Sequence, residues 1–318
     1  MIRHSVDKEF LEKLLSGDRL TTTRAITAVE KETSLAKEIL QSIHRHTGKA
    51  YRIGLTGPPG AGKSSIANKL ARQYRQNGLR VGIIAVDPTS PFTGGAMLGD
   101  RIRMTDVELD EGVFVRSMAS RGSKGGLSRK AADAADVLDA AGNEIILLET
   151  VGVGQSELDI AAAADTTVVV LVPESGDSIQ AMKAGLMEIA DVFVMNKSDR
   201  AGSDQAVTAI KTILHFKSQE DGWNPDIIKA VASEGKGIDE LTAMIDRHRH
   251  YQEETGRLRE KRARRVADRI RGLVAEKLRV DFWNERRRER MRQQVRRVIE
   301  HQLTPYDVVE ELLQEFQR

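Results

Sequence analysis

Gly57-Pro58-Pro59-Gly60-Ala61-Gly62-Lys63-Ser64 is the stretch of sequence that decides the fold, and Ser65 follows it. It fits the pattern G-x-x-x-x-G-K-[ST] and lies between an apolar segment and a helical pattern. A polyphosphate needs several converging N–H donors, which a glycine-rich loop and the first turn of a helix supply. We therefore predict that Gly57 to Ser65 bind a nucleotide. The Lys63 ammonium would neutralise its β- and γ-phosphates, and the Ser64 hydroxyl would ligate Mg²⁺.

Short apolar runs alternate with helical patterns through residues 49–253. The runs are Ile53–Gly57, Val81–Asp87, Val113–Met118, Glu144–Thr150, Thr166–Pro173, Val192–Lys197 and Ile227–Ala232. Near-continuous apolar strands separated by helices are typical of a parallel sheet that is covered on both faces. The sequence therefore predicts an α/β fold: a mostly parallel P-loop NTPase sheet with helices on both faces. Ligands of such sheets bind beyond the carboxyl ends of the strands.

Helical patterns flank this domain on both sides. Residues 1–48 predict an N-terminal extension of three short helices, the last of them apolar from Leu35 to Ile43 and closed by Gly48. Residues 254–318 predict a helical C-terminal arm, which ends in a helix with Thr304 as N-cap and Pro305 at its first position. An earlier helix of the arm has an apolar stripe on a basic background: Ala263, Val266, Ala267, Ile270, Leu273, Val274 and Leu278. That stripe must pack on its own domain or on a second copy of the chain.

Composition indicates a helix-rich globular protein and excludes several classes of site. Of 318 residues, 30% are charged and 4% aromatic, and no cysteine is present to form a disulfide, a thiol nucleophile or a thiolate metal site. The apolar runs are too short to cross a bilayer, and the first residues lack the pattern of a signal peptide. We therefore predict a cytoplasmic protein without membrane contact.

Charge is distributed unevenly along the chain. Residues 257–297 contain 17 Lys and Arg against 6 Asp and Glu, a net +11 in a chain whose total is +2. Such a segment is compatible with an arm that binds nucleic acid and whose binding the GTPase would switch. No aromatic platform is interleaved with the arginines. A solvated helical face is therefore the favoured interpretation, and a nucleic-acid partner is not expected.

Four residues beyond the phosphate loop are candidates for the metal ion and the γ-phosphate. Glu149 ends an apolar strand, where the acidic residue of a P-loop metal site belongs. Asp87 ends the strand after the phosphate-loop helix, and Asp100 lies in the loop that follows. We predict that Ser64, Asp87, Asp100 and Glu149 hold Mg²⁺ or its waters. Gly152, three residues after Glu149, is placed to offer its amide to the γ-phosphate.

The base is predicted to be guanine rather than adenine. Asn196-Lys197-Ser198-Asp199 follows a late apolar run, and the Asp199 carboxylate can accept from guanine N1–H and from the exocyclic amine. Adenine has no amine at C2 and offers an acceptor at N1, so it would leave the carboxylate unpaired, and sites of this kind discriminate by roughly 10⁴-fold or more. Lys197 is expected along the base plane. Ala232 and Ser233 end the next strand, where a backbone N–H can reach the guanine carbonyl oxygen. GTP and GDP are thus the predicted substrate and product.

Together these motifs resemble the MeaB/ArgK family of GTPases. The resemblance covers nearly the whole chain and is most specific in VDPTSP (86–91), LGDRIRM (98–104), RSMASRG (116–122) and ETVGVGQ (149–155). It implies a homodimer formed through the C-terminal helices. It further implies a GTPase chaperone of an adenosylcobalamin-dependent acyl-CoA mutase, typically methylmalonyl-CoA mutase, that gates cofactor loading and protects or reactivates the mutase. No cobalamin-binding region is recognisable in this chain, so we expect cobalamin to be held by the partner.

The resemblance also implies which residues complete the catalytic site. The segment GDSIQAMK (176–183) looks like the family's additional switch, with Asp177, Gln180 and Lys183 as its polar members. Val153 occupies the position at which Ras-like enzymes carry the glutamine that orients the attacking water. We therefore expect slow unassisted hydrolysis, with Gln155, Gln180 or Lys183 brought in by a partner.

The main alternative is a P-loop kinase or ATPase linked to amino-acid transport. It requires adenine binding and a phosphate acceptor. Asp199 favours guanine and argues against it.

Overall fold

The computed structural model describes residues 6–88, 107, 109–120, 126–150, 156–173, 185–216 and 222–317. The chain divides into two compact units, Met1–Lys261 and Arg262–Arg318. The first unit contains the whole sheet. The three-part division predicted from the sequence, with boundaries after residues 48 and 253, stays a prediction.

Each apolar run named above forms a strand of a single sheet. The strands are β1 (Tyr51–Thr56), β2 (Val81–Pro88), β3 (Val113–Ser120), β4 (Ile145–Thr150), β5 (Thr166–Leu171), β6 (Val192–Met195) and β7 (Ile227–Lys229). They lie in the order β3-β2-β4-β1-β5-β6-β7, and every neighbouring pair is parallel. The predicted parallel α/β sheet is confirmed.

The helices that cover the sheet pack on opposite faces according to the alternation of the strand residues. In β4, Ile145 and Leu147 belong to a core shared with α4 (Lys63–Gln76) and α9 (Ile238–Glu254). Ile146 and Leu148 belong to a second core, shared with α5 (Gly126–Ala140) and the N-terminal helices. Successive strand side chains point to opposite faces, so a strand buried on both faces is apolar throughout. Four further helices of this unit are α6 (Ser156–Ala163), α7 (Leu186–Ile189), α8 (Ser203–Phe216) and the start of α10 (Arg257–Phe282).

The N-terminal extension forms the three predicted helices, which are α1 (Lys8–Leu15), α2 (Arg19–Glu30) and α3 (Ser34–Ile43). Asp7 and Asp18 cap the first two by accepting backbone N–H groups at 2.8 Å. The expected end of the third helix at Gly48 is wrong, because α3 stops at Ile43 and a 3₁₀ turn (His44–His46) follows. The buried Asp139 carboxylate accepts the amides of Gly48 at 2.6 Å and Ala50 at 3.1 Å, which directs the chain into β1.

The second unit is helical, as predicted for the arm. Besides most of α10 it contains α11 (Glu285–Ile299), a charged helix, and α12 (Pro305–Gln317). Thr304 and Asp307 cap α12 reciprocally, since the Thr304 Oγ1 accepts the Asp307 amide at 3.2 Å and the Asp307 carboxylate accepts the Thr304 amide at 2.8 Å. Many basic residues pair along their own helix, for example Lys277 with Asp281 at 2.8 Å and Arg296 with Glu300 at 2.8 Å. Within the described part of the chain, no helix combines the length and the apolar character needed to cross a bilayer.

A buried polar network joins α9 to the amino ends of β5 and β6. The His248 ring, 3% exposed, contacts the Thr166 Oγ1 through Nδ1 at 2.8 Å and the Asp191 carboxylate through Nε2 at 3.5 Å. Trp223 packs against it in a tilted arrangement with ring centroids 4.7 Å apart, and Lys261 donates to the Asp165 carbonyl at 2.8 Å. Burial lowers the pKa of His248 from its usual 6.5; Lys261 adds to this effect and Asp191 opposes it. His248 is therefore neutral in the folded protein at pH 7.

We predict that the free energy of unfolding falls as the pH drops below about 6.5, because the unfolded chain then binds a proton that the folded His248 does not. The contribution of one histidine is at most about 1.4 kcal/mol per pH unit. Chemical unfolding between pH 5.5 and 7.5 should show a smaller pH dependence in His248→Gln than in the unsubstituted chain. His250→Gln is the control, since His250 lies on the same helix with its side chain 72% exposed. An unchanged pH dependence in His248→Gln would contradict the assignment.

Candidate nucleotide site

The phosphate loop connects the carboxyl end of β1 to the amino end of α4. Lys63 is the first residue of α4 and is 5% exposed. Its ammonium donates to the carbonyl oxygens of Gly57 at 2.8 Å and Pro58 at 2.9 Å. These two hydrogen bonds keep the Lys63 ammonium next to the phosphate loop and close to the N-terminus of α4, and helix N-termini attract anions.

Two glycines of the loop are required by its backbone and its neighbours. Gly57 has φ 134°, and a Cβ built on it would lie 2.1 Å from the Val170 carbonyl oxygen of β5. Gly62 has φ 91°, and its Cβ would lie 2.3 Å from the Asn196 Nδ2. A side chain at either position would meet atoms that cannot be displaced cheaply. The loop thus depends on glycine for its conformation and for its contact with β5 and the residue after β6.

Ser64 and Glu149 form the part of the predicted metal site that the structure describes. The Ser64 Oγ donates to the Glu149 Oε1 at 2.5 Å, and the two residues are 7% and 3% exposed. Mg²⁺ prefers hard oxygen ligands and commonly takes one or two from protein with the rest from phosphate and water. A hydroxyl beside a carboxylate at the phosphate loop fits that donor set. No cluster of three or more His, Asp or Glu suited to a metal occurs among the described residues.

The motif after β6 is connected both to the phosphate loop and to the loop after β7. The Asn196 Nδ2 donates to the Ala61 carbonyl at 2.8 Å, and the Asn196 Oδ1 accepts the Ala232 amide at 3.0 Å. Lys197, in a left-handed conformation with φ 55°, donates from Nζ to the Gly60 carbonyl at 2.9 Å. Asn196 is buried, whereas the Asp199 and Ser233 side chains are exposed. The arrangement leaves Asp199 accessible at the edge of the site.

The remaining predicted residues lie outside the described part of the chain. These are Asp100, Gly152, Gln180 and Lys183, together with Val153, Gln155 and Asp177. The backbone of Asp87 belongs to β2. The structure therefore brings together the phosphate loop, Glu149 and the loops of Asn196 and Ala232.

A family model described as methylmalonyl-CoA mutase-associated GTPase MeaB matches residues 22–302. The chain belongs to the MeaB family. The resemblance inferred from the motifs is confirmed, and so is the predicted enzymatic activity: this MeaB-family chain is a GTP-hydrolysing P-loop enzyme.

Relatives and solved structures agree with this assignment. A Pyrococcus abyssi protein named as a GTPase is 48% identical over 314 residues, which are 96% of this chain and 96% of that protein. The GTPase ArgK of Escherichia coli is 35% identical over 288 residues, covering 87% of this chain and 86% of that protein. A crystal structure of a LAO/AO transport system kinase matches with a TM-score of 0.76 and 30% identity, over 98% of this chain and 97% of that one. Because the family description and both relatives name a GTPase, the alternative of a transport-linked kinase or ATPase is set aside.

We predict that Asp199 carries the preference for guanine. In titration calorimetry GDP should bind at least about 10³-fold more tightly than ADP, and Asp199→Asn should remove most of that difference by weakening GDP alone. Asp204→Asn is the control, since Asp204 is an acid of α8 with its side chain 86% exposed. Comparable binding of ADP by the unsubstituted chain, or an unchanged preference in Asp199→Asn, would refute this role.

Proposed function

We propose that this GTPase is a Mg²⁺-dependent chaperone of an adenosylcobalamin-dependent acyl-CoA mutase, methylmalonyl-CoA mutase in the first instance. In this role it gates cofactor loading and protects or reactivates the mutase. The observation that carries the proposal is the match of residues 22–302 to a family described by its association with that mutase. Adenosylcobalamin stays with the mutase, and the complex forms in the cytoplasm.

The contacts of the phosphate loop support the roles that we assign to the site residues. Gly57, Pro58, Pro59, Gly60, Ala61, Gly62 and Ser65 surround the phosphates with backbone, and the Lys63 ammonium turns from the carbonyls of Gly57 and Pro58 toward the β- and γ-phosphates. Asn196 does not need to touch the base. Its two hydrogen bonds, at 2.8 Å and 3.0 Å, hold the Ala61 and Ala232 loops together. Asp199, Lys197 and the Ala232-Ser233 backbone then bind the base.

Ser64 and Glu149 are the residues that hold Mg²⁺, with Asp87 and Asp100 assigned to the ion or its waters. When bound, the ion neutralises charge on the phosphate oxygens. The Ser64 hydroxyl has one proton and two lone pairs. It can therefore continue to donate its hydrogen bond to Glu149 while a lone pair faces the ion. Glu149 thus orients Ser64 in addition to supplying negative charge.

The hydrolysis step requires a group that orients the attacking water and groups that stabilise the transition state. Val153 has no side-chain polar atom with which to orient the attacking water. We assign Gly152 to the γ-phosphate, and Gln180 and Lys183 to the charge that develops in the transition state. A bound mutase would bring these residues to the phosphate. A positive charge supplied in this way raises the rate of hydrolysis by up to about 10³–10⁵-fold in GTPases.

The partner is tested by measuring GTP turnover with and without an equimolar methylmalonyl-CoA mutase from the same source. We expect the mutase to stimulate turnover at least about 10-fold, or 1.4 kcal/mol off the barrier. In Lys183→Ala the stimulation should be lost. Absence of stimulation in the unsubstituted chain would remove the chaperone proposal and leave the GTPase. Stimulation that survives Lys183→Ala would keep the partner and discard the residue.

Dimerisation through the arm is proposed because its apolar stripe is exposed in the single chain. Val266, Ile270, Leu273, Val274 and Leu278 are 48–56% exposed. Five large apolar side chains on one helix are a liability in water unless a partner covers them. A symmetric pairing of two copies would cover the same patch on both.

Truncation after Lys261 should give a folded, GDP-binding monomer. This cut is preferable to one at the predicted boundary after residue 253, because α9 continues to Glu254 and Lys261 donates to the Asp165 carbonyl. Light scattering at tens of micromolar should show a dimer for the full chain. A monomeric full chain would rule out the dimer, and a dimer that persists after truncation would place the interface in the first unit.

A further inference from the structure

A pair of buried threonines joins the two strands that carry the phosphate loop and Glu149. Thr56 is the last residue of β1, directly before Gly57, and Thr150 is the last residue of β4, directly after Glu149. Both are 0% exposed, and the Thr150 Oγ1 donates to the Thr56 Oγ1 at 3.4 Å. The roles assigned so far do not use either hydroxyl.

The position of this pair relative to Glu149 follows from the register of the sheet. Leu55 of β1 is paired with Glu149 of β4, and the threonines are the next residues along both strands. Because strand side chains alternate between faces, the threonines lie on the face opposite to Glu149. Leu55 and Leu147 pack in the core that contains α4, whereas Ile146 and Leu148 pack in the other core. The end of β4 is thus linked on one face to the end of β1 by the threonines, and on the other face to the first turn of α4 by the 2.5 Å hydrogen bond from Ser64 to Glu149.

Two links on opposite faces restrain the end of a strand more than one link does. The backbone of β4 is paired with β1 and β2 at Glu149, and the two side-chain links further restrain the local twist of this strand end, with which the carboxylate would move. A cross-strand threonine pair is a known stabilising contact in sheets. Its hydrogen bond is directional, whereas the contact between two apolar side chains of the same shape would not be. The contact therefore limits rotation of Glu149 relative to the loop that carries Ser64.

We propose that Thr56 and Thr150 are positioning residues for the Ser64–Glu149 pair, fixing the carboxylate in the orientation in which the pair holds Mg²⁺. This inference rests on the proposed role of Ser64 and Glu149. A purely structural role of the threonines would affect unfolding but not the metal dependence of nucleotide binding.

The test compares the affinity for a non-hydrolysable GTP analogue with Mg²⁺ and with EDTA, measured by calorimetry on the full chain. In Thr150→Val and in Thr56→Val the gain in affinity from Mg²⁺ should fall about 3- to 10-fold, the range expected for one neutral hydrogen bond. Affinity in EDTA should stay within about two-fold, because the phosphate loop and the base motif are unchanged. Thr150→Ser should keep the gain, since it retains the hydroxyl. Thr167→Val is the control, because Thr167 is also a buried threonine, 1% exposed, but lies near the amino end of its strand, β5.

The double variant Thr56→Val with Thr150→Val separates positioning from stability. Removing both hydroxyls leaves no buried polar group unsatisfied, so the unfolding midpoint should recover relative to the single variants. Under the proposal the gain from Mg²⁺ stays low in this variant. A gain that recovers with stability, or one unchanged in both single variants, overturns the proposal. Glu149→Ala identifies a failure of the underlying assignment: if it keeps the full gain from Mg²⁺, the proposed metal role is wrong and the positioning role fails with it.

Discussion

The side chain of Asn196 is the contact on which the nucleotide site depends. Its amide nitrogen donates to the Ala61 carbonyl and its oxygen accepts the Ala232 amide, so one buried side chain joins three loops. These loops follow β1, β6 and β7, and β6 is separated from β1 by β5 in the sheet. A buried amide that lost either partner would cost about 1–3 kcal/mol. The loop predicted to receive the phosphates and the loops predicted to receive the base are therefore joined by one side chain.

This contact explains how Asn196, although far away in sequence, restricts which residue can occupy position 62 of the phosphate loop. The Asn196 Nδ2 approaches Gly62 so closely that a Cβ at Gly62 would lie 2.3 Å from it. Glycine at this position is usually explained by the approach of phosphate and by a positive φ. Here a third reason is added, because the space next to Gly62 is taken by the side chain that connects the loop to the base motif. Lys197 strengthens the same connection by donating to the Gly60 carbonyl.

The sequence predicted those parts of the molecule that local pattern determines. The strands were found because residues buried on both faces of a parallel sheet must be apolar in succession, and the phosphate loop because its glycines and lysine have fixed spacing. The hydrogen bonds of Asn196, the Thr56–Thr150 pair and the His248 network were not predicted. Each depends on residues that approach one another only after the sheet has formed. The end of α3 was missed for the same reason. Asp139, 91 residues from Gly48, binds the amides that follow the 3₁₀ turn.

The Lys63 ammonium and the Ser64 hydroxyl both have hydrogen-bond partners within the site, which has a consequence for binding. Lys63 is hydrogen-bonded to two carbonyls and Ser64 to Glu149, so neither an ammonium nor a carboxylate is buried alone. Burying an unpaired charge would cost far more than these contacts return. In the proposed role of Lys63, nucleotide binding would exchange one set of partners for another, and the phosphates would need to offer Lys63 only a better partner than a carbonyl. An anionic oxygen is such a partner, since hydrogen bonds between charged groups are roughly twice as strong as neutral ones. In the proposed metal role, the Ser64 hydroxyl would continue to donate its hydrogen bond to Glu149 while a lone pair faces Mg²⁺, so this hydrogen bond would not have to be broken.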